Sequence, residues 1–167
     1  MARQWLWVAL IFCAAMLAIA HAFETFGHLS PCELCLKQRD VYWLGLGLGV
    51  VGLAWKRFAG RFDPTRPIAL IFIAVFAAEA GIAAYHAGVE WKFWPGPASC
   101  SGGATHVDPA ALRRLLSGAK MGLPACDRPA WVWLGLSMAG WNAVAAAVMA
   151  VGSLIAAIAW RDQRGRR

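Results

Sequence analysis

Long runs of apolar residues dominate the chain, and short clusters of charge separate them. Four of these runs predict membrane spans at about 5–23, 36–55, 67–87 and 139–160. The first run is uncharged from Gln4 to Phe23, which corresponds to about 30 Å of α-helix. The second is uncharged only from Val41 to Trp55, which is too short to cross a bilayer alone. It crosses only if its helix begins near Cys35, with the charged residues between Cys35 and Val41 in the headgroup layer. The pattern predicts an all-α membrane protein, a single domain over 1–167 built as a four-helix transmembrane up-down bundle.

Composition supports a membrane location. The chain is 60% hydrophobic and 15% charged, whereas soluble domains are roughly 45–50% apolar and about 25% charged. So few charges cannot cover a soluble surface around this much apolar material, which excludes a soluble single domain and a disordered chain. The 10 tryptophans and 17 glycines suit interfacial anchoring and close helix packing in a bilayer.

Basic residues indicate how the chain is oriented. The 56–66 loop and the tail after Trp160 each carry four Lys or Arg residues, whereas the much longer 88–138 loop carries five. The positive-inside rule therefore places both termini and the 56–66 loop in the cytoplasm, and the 24–35 and 88–138 loops outside. Because the net charge of +7 arises largely beside the spans, it suits membrane orientation and predicts no nucleic-acid partner.

Two segments allow a second interpretation. The first span could be a cleaved signal peptide, since Ala20-His21-Ala22 resembles a cleavage site, although its apolar run exceeds the usual core of about 7–15 residues. The long outer loop contains a candidate amphipathic helix that begins near Asp108 and Pro109 and continues to Ser117. That helix either lies on the membrane surface or packs on the bundle as an ordinary loop helix.

Four of the five cysteines fall in the two outer loops, two in each. The fifth, Cys13, lies in the middle of the first span, where it is expected to act as a small buried apolar residue. An oxidising compartment outside the membrane makes two disulfide-forming pairs the natural interpretation. The chemistry of the protein is therefore expected at Cys32 and Cys35 in the first loop and at Cys100 and Cys126 in the second.

The first pair forms a C-x-x-C motif at the outer end of the second helix. Free amide hydrogens and the positive end of the helix dipole stabilise a thiolate at such a position. Arg39 follows Cys35 by four residues, so in a helix its guanidinium shares a face with the thiols. An arginine at a membrane edge can simply anchor the helix, but beside C-x-x-C we expect it to stabilise a thiolate or a bound oxyanion.

The second pair allows either a structural staple or an exchanging disulfide. The many Gly and Pro residues around Cys100 and Cys126 suggest an exposed segment, and exposed bridges are the exchangeable kind, which favours exchange. No metal site is predicted, because the second pair lacks the C-x-x-C spacing of structural zinc sites. The G-x-G-x-x-G match from Gly47 to Gly52 lies inside an apolar helix, where Gly45 and Gly49 are better explained by helix packing.

These features together resemble the DsbB family, the disulfide bond formation protein B of bacterial inner membranes. The string Pro31-Cys32-x-x-Cys35-x-x-x-Arg39 matches the family's P-C-x-L-C-x-x-x-R motif, and the stretch from Pro124 to Met138 is similar to the family's segment after its last cysteine. The resemblance implies a quinone-dependent thiol oxidase of the inner membrane. Such an enzyme reoxidises a periplasmic DsbA-like thiol oxidase and passes the electrons to ubiquinone or menaquinone, with both cysteine pairs in the periplasm.

The same resemblance implies a role for each site residue. Cys32 and Cys35 would be the quinone-coupled pair, and Arg39 would support quinone reduction. Cys100 and Cys126 would be the shuttle pair, with Cys100 bonding the partner. His86 lies where the family lines its quinone site, although a lone interfacial histidine can also be an anchor.

Two other functions and one residue stay open. A related four-helix thiol oxidoreductase, such as a vitamin K epoxide reductase-like protein, shares the C-x-x-C but carries it late in its bundle. The other possibility is a non-enzymatic membrane scaffold, in which both disulfides are structural and no reaction is catalysed. Glu79 is an acid inside the third span, which is either functional, for instance in proton delivery, or a hydrogen-bonded packing residue.

Overall fold

The computed structural model describes residues 4–58, 64–97 and 126–165, and the structural statements below refer to these ranges. Within them the chain forms four helices and one short hairpin. In chain order these elements are α1 (Trp5–Thr25), α2 (Glu33–Phe58), α3 (Thr65–Glu90), β1 (Val132–Trp133), β2 (Leu136–Ser137) and α4 (Met138–Gly165).

Three of the described helices are long and apolar enough to cross a bilayer. They cover Trp5–Thr25, Thr65–Glu90 and Met138–Trp160, and so coincide with the first, third and fourth predicted spans. The chain is thus a multi-pass membrane protein. The predicted span 36–55 lies inside α2, a helix of 26 residues whose first turns carry the charges expected in the headgroup layer. That α2 also crosses the membrane stays a prediction.

Helix α3 occupies the middle of the fold, because it packs extensively on α4 and also contacts α1 and α2. The core between these helices is largely aromatic on the α3 side, where Phe72 and Phe76 are stacked with ring centroids 5.3 Å apart. Phe12 of α1 meets the edge of Phe76. Aliphatic side chains such as Ile11 and Val148 point outward and are more than 60% exposed, as suits a surface that faces lipid.

Glycines let α1 and α2 approach each other closely. A Cβ atom on Gly49 would lie 2.8 Å from Leu10 Cδ1 and 3.2 Å from its Cβ, and one on Gly45 would lie 2.7 Å from Cys13 Sγ. The predicted packing role of Gly45 and Gly49 is therefore confirmed. Cys13 is fully buried in this contact, as expected for a small apolar residue.

The hairpin adds a feature to the all-α prediction. β1 and β2 pair antiparallel, with Val132 opposite Ser137 and Trp133 opposite Leu136. The turn between them places Leu134 at φ 50° and Gly135 at φ 79°, the two positive φ values of a turn that matches strand twist. The hairpin leads directly into α4. The predicted loop helix at 109–117, like Cys100, lies outside the described residues.

Candidate functional site

The C-x-x-C motif opens α2, as predicted. Cys32 immediately precedes the helix, and its Sγ accepts a hydrogen bond from the backbone N–H of Cys35 at 3.3 Å. Its carbonyl accepts another from the N–H of Leu36 at 3.0 Å. The sulfur of Cys32 thus satisfies one of the free amides at the helix start, where negative charge is favoured. Both cysteines are free thiols, with their sulfurs 2.9 Å apart.

The two thiols, which precede the predicted span 36–55, differ in acidity. The hydrogen bond from the Cys32 thiol lowers the pKa of Cys35 to about 7, and the nearby Arg39 contributes in the same direction. That same hydrogen bond, together with burial, raises the pKa of Cys32. Cys35 is therefore the more acidic thiol of the reduced pair, and its thiolate is stabilised by its protonated neighbour.

This asymmetry predicts the pH dependence of alkylation. Only the thiolate reacts, so the rate at which iodoacetamide modifies Cys35 in the reduced protein should rise with a midpoint of about pH 7. Cys32→Ala removes the hydrogen-bond donor and should move the midpoint upward, whereas Cys32→Ser retains a donor and should move it less. Peptide mapping by mass spectrometry assigns the modified cysteine. Equal midpoints in the two variants would contradict the role of this hydrogen bond.

Arg39 is held by the end of α1. Its Nη1 pairs with the carboxylate of Glu24 at 2.5 Å, and its Nη2 donates to the carbonyl of Ala20 at 3.1 Å. Its side chain is 14% exposed, so the guanidinium is fixed rather than free in solvent. Because only two of its five N–H donors are needed for these contacts, it retains donors for another group.

His86 and Cys126 complete the immediate surroundings of Cys32. His86, from the last turns of α3, is 4% exposed and places its Nε2 3.6 Å from Cys32 Sγ. It is also hydrogen-bonded to the backbone of Cys126. The Cys32 sulfur, the Cys126 sulfur and a ring nitrogen of His86 all lie within 4.8 Å of one another. His86 and Cys126, from two distant parts of the sequence, thus converge on Cys32.

Cys126 corrects one expectation. The Gly- and Pro-rich surroundings predict an exposed pair, yet Cys126 is 1% exposed and packs in a cluster with Cys32, Leu34 and Val89. The segment is held at the end of α3 by this packing and by the backbone hydrogen bond with His86, and the exposed ion pair of Asp127 with Lys92, at 2.7 Å, lies beside it. Cys126 is disulfide-bonded, and Cys100 lies outside the described residues.

A cavity of about 460 Å³ opens beside these residues. Among its lining residues are five of the six predicted site residues: Cys32, Cys35, Arg39, His86 and Cys126. Much of the remaining lining is apolar and aromatic, and it includes Met16 of α1 and the tryptophans of the hairpin segment, Trp131 and Trp133. A largely apolar cavity with a few convergent polar groups is the usual form of a small-molecule site.

The structure also shows a buried polar network that sequence reasoning missed. Gln38 Nε2 lies 3.0 Å from His86 Nδ1, and Gln38 Oε1 accepts from Asn142 Nδ2 at 2.6 Å. Asn142 Nδ2 also donates to Glu79 Oε1 at 2.7 Å, and the Tyr42 hydroxyl donates to Asn142 Oδ1. Lone amides in apolar spans were the available signal, since buried polar groups in a membrane need partners.

Sequence reasoning also missed Glu90, at the end of α3. Its Oε1 lies 3.8 Å from His86 Nε2, on the side of the ring that faces Cys32. Its Oε2 is buried with no hydrogen-bond partner among the described residues. Although Cys32, His86 and Cys126 form a cluster of metal-ligand types, Cys126 is disulfide-bonded and offers no thiolate. The absence of a metal site stays a prediction.

Comparison with known proteins agrees with this arrangement. The family model "Disulfide bond formation protein DsbB" matches residues 2–156. The chain is 31% identical over 147 residues to "Disulfide bond formation protein B" of Dechloromonas aromatica (strain RCB), covering 84% of this chain and 82% of that protein. It is 31% identical over 144 residues to the protein of that name from Methylococcus capsulatus, covering 84% of each. With Idiomarina loihiensis the identity is 28% over 160 residues, covering 92% of this chain and 84% of the relative. The chain therefore belongs to the DsbB family of disulfide bond formation proteins.

Proposed function

We propose that this membrane disulfide oxidoreductase reoxidises a periplasmic DsbA-like thiol oxidase and transfers the electrons to a membrane quinone. Cys100 and Cys126 exchange with the partner, Cys32 and Cys35 pass the electrons on, and Arg39 and His86 assist at the quinone site. The observation that carries the proposal is the cavity, because a buried sulfur of each cysteine pair and a fixed guanidinium all lie on its wall. A structural disulfide needs no such space beside it.

The cavity fits a quinone head group. Its volume of about 460 Å³ lies within the range of roughly 300–1,000 Å³ that small-molecule sites occupy. A quinone is a flat apolar ring with two carbonyl acceptors, and the aromatic wall suits the ring. Arg39 has N–H donors to offer to an oxygen, so the residues present fit the group. The quinone supplies a two-electron, two-proton acceptor; the chain supplies the dithiol, a cation and a largely apolar cavity.

The distances support a defined order of thiol–disulfide exchange. A partner thiolate attacks Cys100 and breaks the Cys100–Cys126 bond, so that Cys126 leaves as a thiolate. Cys126 lies within 4.8 Å of Cys32 and attacks it, which breaks the Cys32–Cys35 bond and releases Cys35 as a thiolate. A low pKa makes Cys35 a good leaving group.

The remaining steps restore both pairs. The partner's second thiolate attacks its own sulfur in the mixed disulfide, which oxidises the partner and frees Cys100. Cys100 then attacks Cys126, re-forming that bond and leaving Cys32 and Cys35 as a dithiol. Oxidation of this dithiol by the quinone gives up two electrons and two protons, so the cycle balances at one partner disulfide formed for each quinone reduced.

We also propose that the site faces the periplasm of a bacterial inner membrane and that both termini are cytoplasmic. Cys32 precedes α2 and His86 lies in the last turns of α3, whereas Lys56, Arg57 and Arg66 lie at the opposite ends of these two helices. The positive-inside rule assigns the basic ends to the cytoplasm. The opposite ends, which carry the cysteines, then meet an oxidising compartment.

Filling the cavity tests the quinone site. Ala145 lines the cavity, so Ala145→Phe should raise the KM for quinone at least about tenfold, the scale of overpacking a small site. Ala147 lies two residues away and is exposed, so Ala147→Phe is the matched control and should leave the KM unchanged. The rate of disulfide exchange with the partner should be the same in both variants. An unchanged quinone KM in Ala145→Phe would contradict the assignment of this cavity.

A further inference from the structure

Glu79 is a buried acid that the proposed reaction does not use. It lies within α3, is fully buried, and accepts its hydrogen bond from Asn142 at Oε1. Its Oε2 has no partner among the residues that the structure describes. Burying a carboxyl group in an apolar span is costly, and a simple packing contact would be made more cheaply by an apolar side chain.

Three hydrogen bonds connect Glu79 to the ring of His86, and they have a direction. Whether ionised or protonated on Oε2, Glu79 presents an acceptor at Oε1, so Asn142 must turn its NH₂ group toward it. That NH₂ group also donates to Gln38 Oε1 at 2.6 Å. The NH₂ group of Gln38 is then left to face His86 Nδ1, 3.0 Å away.

The direction of these three hydrogen bonds decides which nitrogen of the imidazole carries the proton. A nitrogen that accepts from Gln38 carries no hydrogen, so Nδ1 is the acceptor and the proton is on Nε2. Nε2 faces Cys32 Sγ at 3.6 Å and Glu90 Oε1 at 3.8 Å. Glu90 Oε1 is an acceptor, and the Cys32 sulfur, whose own proton is directed at Cys35, also accepts on this side, so the environment of Nε2 agrees with the direction set from Glu79.

The opposite direction is also geometrically possible. If both amides turned over, Asn142 would need a donor at position 79, and Gln38 would present its oxygen to an Nδ1–H group. His86 would then turn a lone pair toward Cys32. An ionised Glu79, or one protonated on Oε2, removes this alternative, because two acceptors would then face each other; only a proton on Oε1 would restore it.

We propose that Glu79, through Asn142 and Gln38, is a positioning residue that fixes the tautomer of His86 with its proton on Nε2, directed at Cys32. A donor beside Cys32 stabilises this sulfur whenever exchange with Cys126 or oxidation of the dithiol leaves negative charge on it. This catalytic consequence rests on the proposed function. Glu79 thereby acts on the redox centre without contacting it.

The tautomer can be read directly by nitrogen NMR. The full chain is prepared with ¹⁵N-histidine in lipid nanodiscs without quinone, and the His86 signals among the four histidines are assigned with His86→Gln. We expect the wild type to show a protonated Nε2 and an unprotonated Nδ1. Glu79→Leu should give both tautomers, and Gln38→Glu, which places an acceptor opposite Nδ1, should move the proton to Nδ1.

Ser153→Ala is the matched control. Ser153 is fully buried in α4 and accepts a hydrogen bond from Trp5 at 3.2 Å, so its removal costs a buried hydrogen bond outside the network. The nitrogen shifts of His86 should not change in this variant. Quinone-dependent turnover should fall about tenfold in Glu79→Leu, the scale of one lost hydrogen bond to a charged group, and stay unchanged in Ser153→Ala.

Two results would overturn the inference: a proton on Nδ1 in the wild type, or unaltered His86 shifts in Glu79→Leu. If Glu79→Leu fails to fold, Glu79→Gln takes its place, because its amide can turn either a donor or an acceptor toward Asn142 and should also give both tautomers. Altered shifts with full turnover would overturn the catalytic consequence of the tautomer. Failure of the proposed function gives a different result: the wild-type protein would reduce no quinone, but its nitrogen shifts would still show which nitrogen of His86 carries the proton.

Discussion

The substitution Arg39→Ala is expected to lower quinone-dependent turnover by at least about 100-fold, the scale of losing one fixed electrostatic stabiliser. Oxidation of the dithiol places negative charge on a sulfur and on the acceptor, and Arg39 lines the same cavity as Cys35. The guanidinium is already fixed by Glu24 and Ala20, so little reorganisation is needed during the reaction. Steady-state kinetics with quinone, compared with partner exchange measured separately, gives the answer.

Two variants separate charge from geometry. Arg39→Lys keeps the cation but loses the planar arrangement of donors, so it should raise the KM for quinone more than it slows exchange with the partner. Lys37 is on the same helix, but its side chain is 54% exposed and pairs with Glu33 at 3.0 Å; Lys37→Ala should therefore leave turnover unchanged. Equal loss of partner exchange and quinone reduction in Arg39→Ala would instead indicate a structural role.

The substitution Cys126→Ser is expected to abolish turnover and to trap the partner in a mixed disulfide. Without Cys126, electrons that reach Cys100 have no route to Cys32, because exchange requires a thiolate at the buried position within 4.8 Å of it. When the variant is given the oxidised partner, the Cys100 thiolate attacks the partner's disulfide and releases the partner's second thiolate. The resulting mixed disulfide should accumulate because Cys126 is not there to resolve it, and it is visible as a reducible band of higher mass on a non-reducing gel. Turnover should equal that of a chain lacking Cys32 and Cys35.

Cys13 supplies the control for this prediction. It is a thiol of the same chain, but it lies in the contact between α1 and α2 and is fully buried. Cys13→Ser should therefore retain turnover and show no mixed disulfide. Normal turnover in Cys126→Ser would mean that the second pair is a structural staple.

The sequence was most informative where one local pattern decides the structure. Apolar runs predicted the helices, and the C-x-x-C spacing with Arg39 predicted which residues share one end of α2. Gly45 and Gly49 were recognised as packing positions because glycine has few other uses inside a spanning helix. The family resemblance predicted a quinone site near His86, and the imidazole lines the cavity to which we assign the quinone.

What was missed depends on contacts between distant segments. The burial of Cys126 follows from its packing against Cys32, Leu34 and Val89, and no local pattern links these segments. The network of Gln38, Asn142 and Glu79 joins three helices through side-chain amides, whose partners are decided by helix rotation and not by spacing. The hairpin before α4 depends on two positive φ values, one of them at a leucine, which β-turn preferences do not suggest.

The most direct measurement counts electrons. The purified protein is mixed under anaerobic conditions with an excess of a reduced periplasmic DsbA-like dithiol protein and a limiting amount of ubiquinone, and then of menaquinone. Quinone absorbance and the partner's disulfide content are followed together. We predict that one partner disulfide forms for each quinone reduced, and that Cys32→Ser abolishes both signals. Partner oxidation with no change in the absorbance of either quinone would contradict the assignment of a quinone as the electron acceptor.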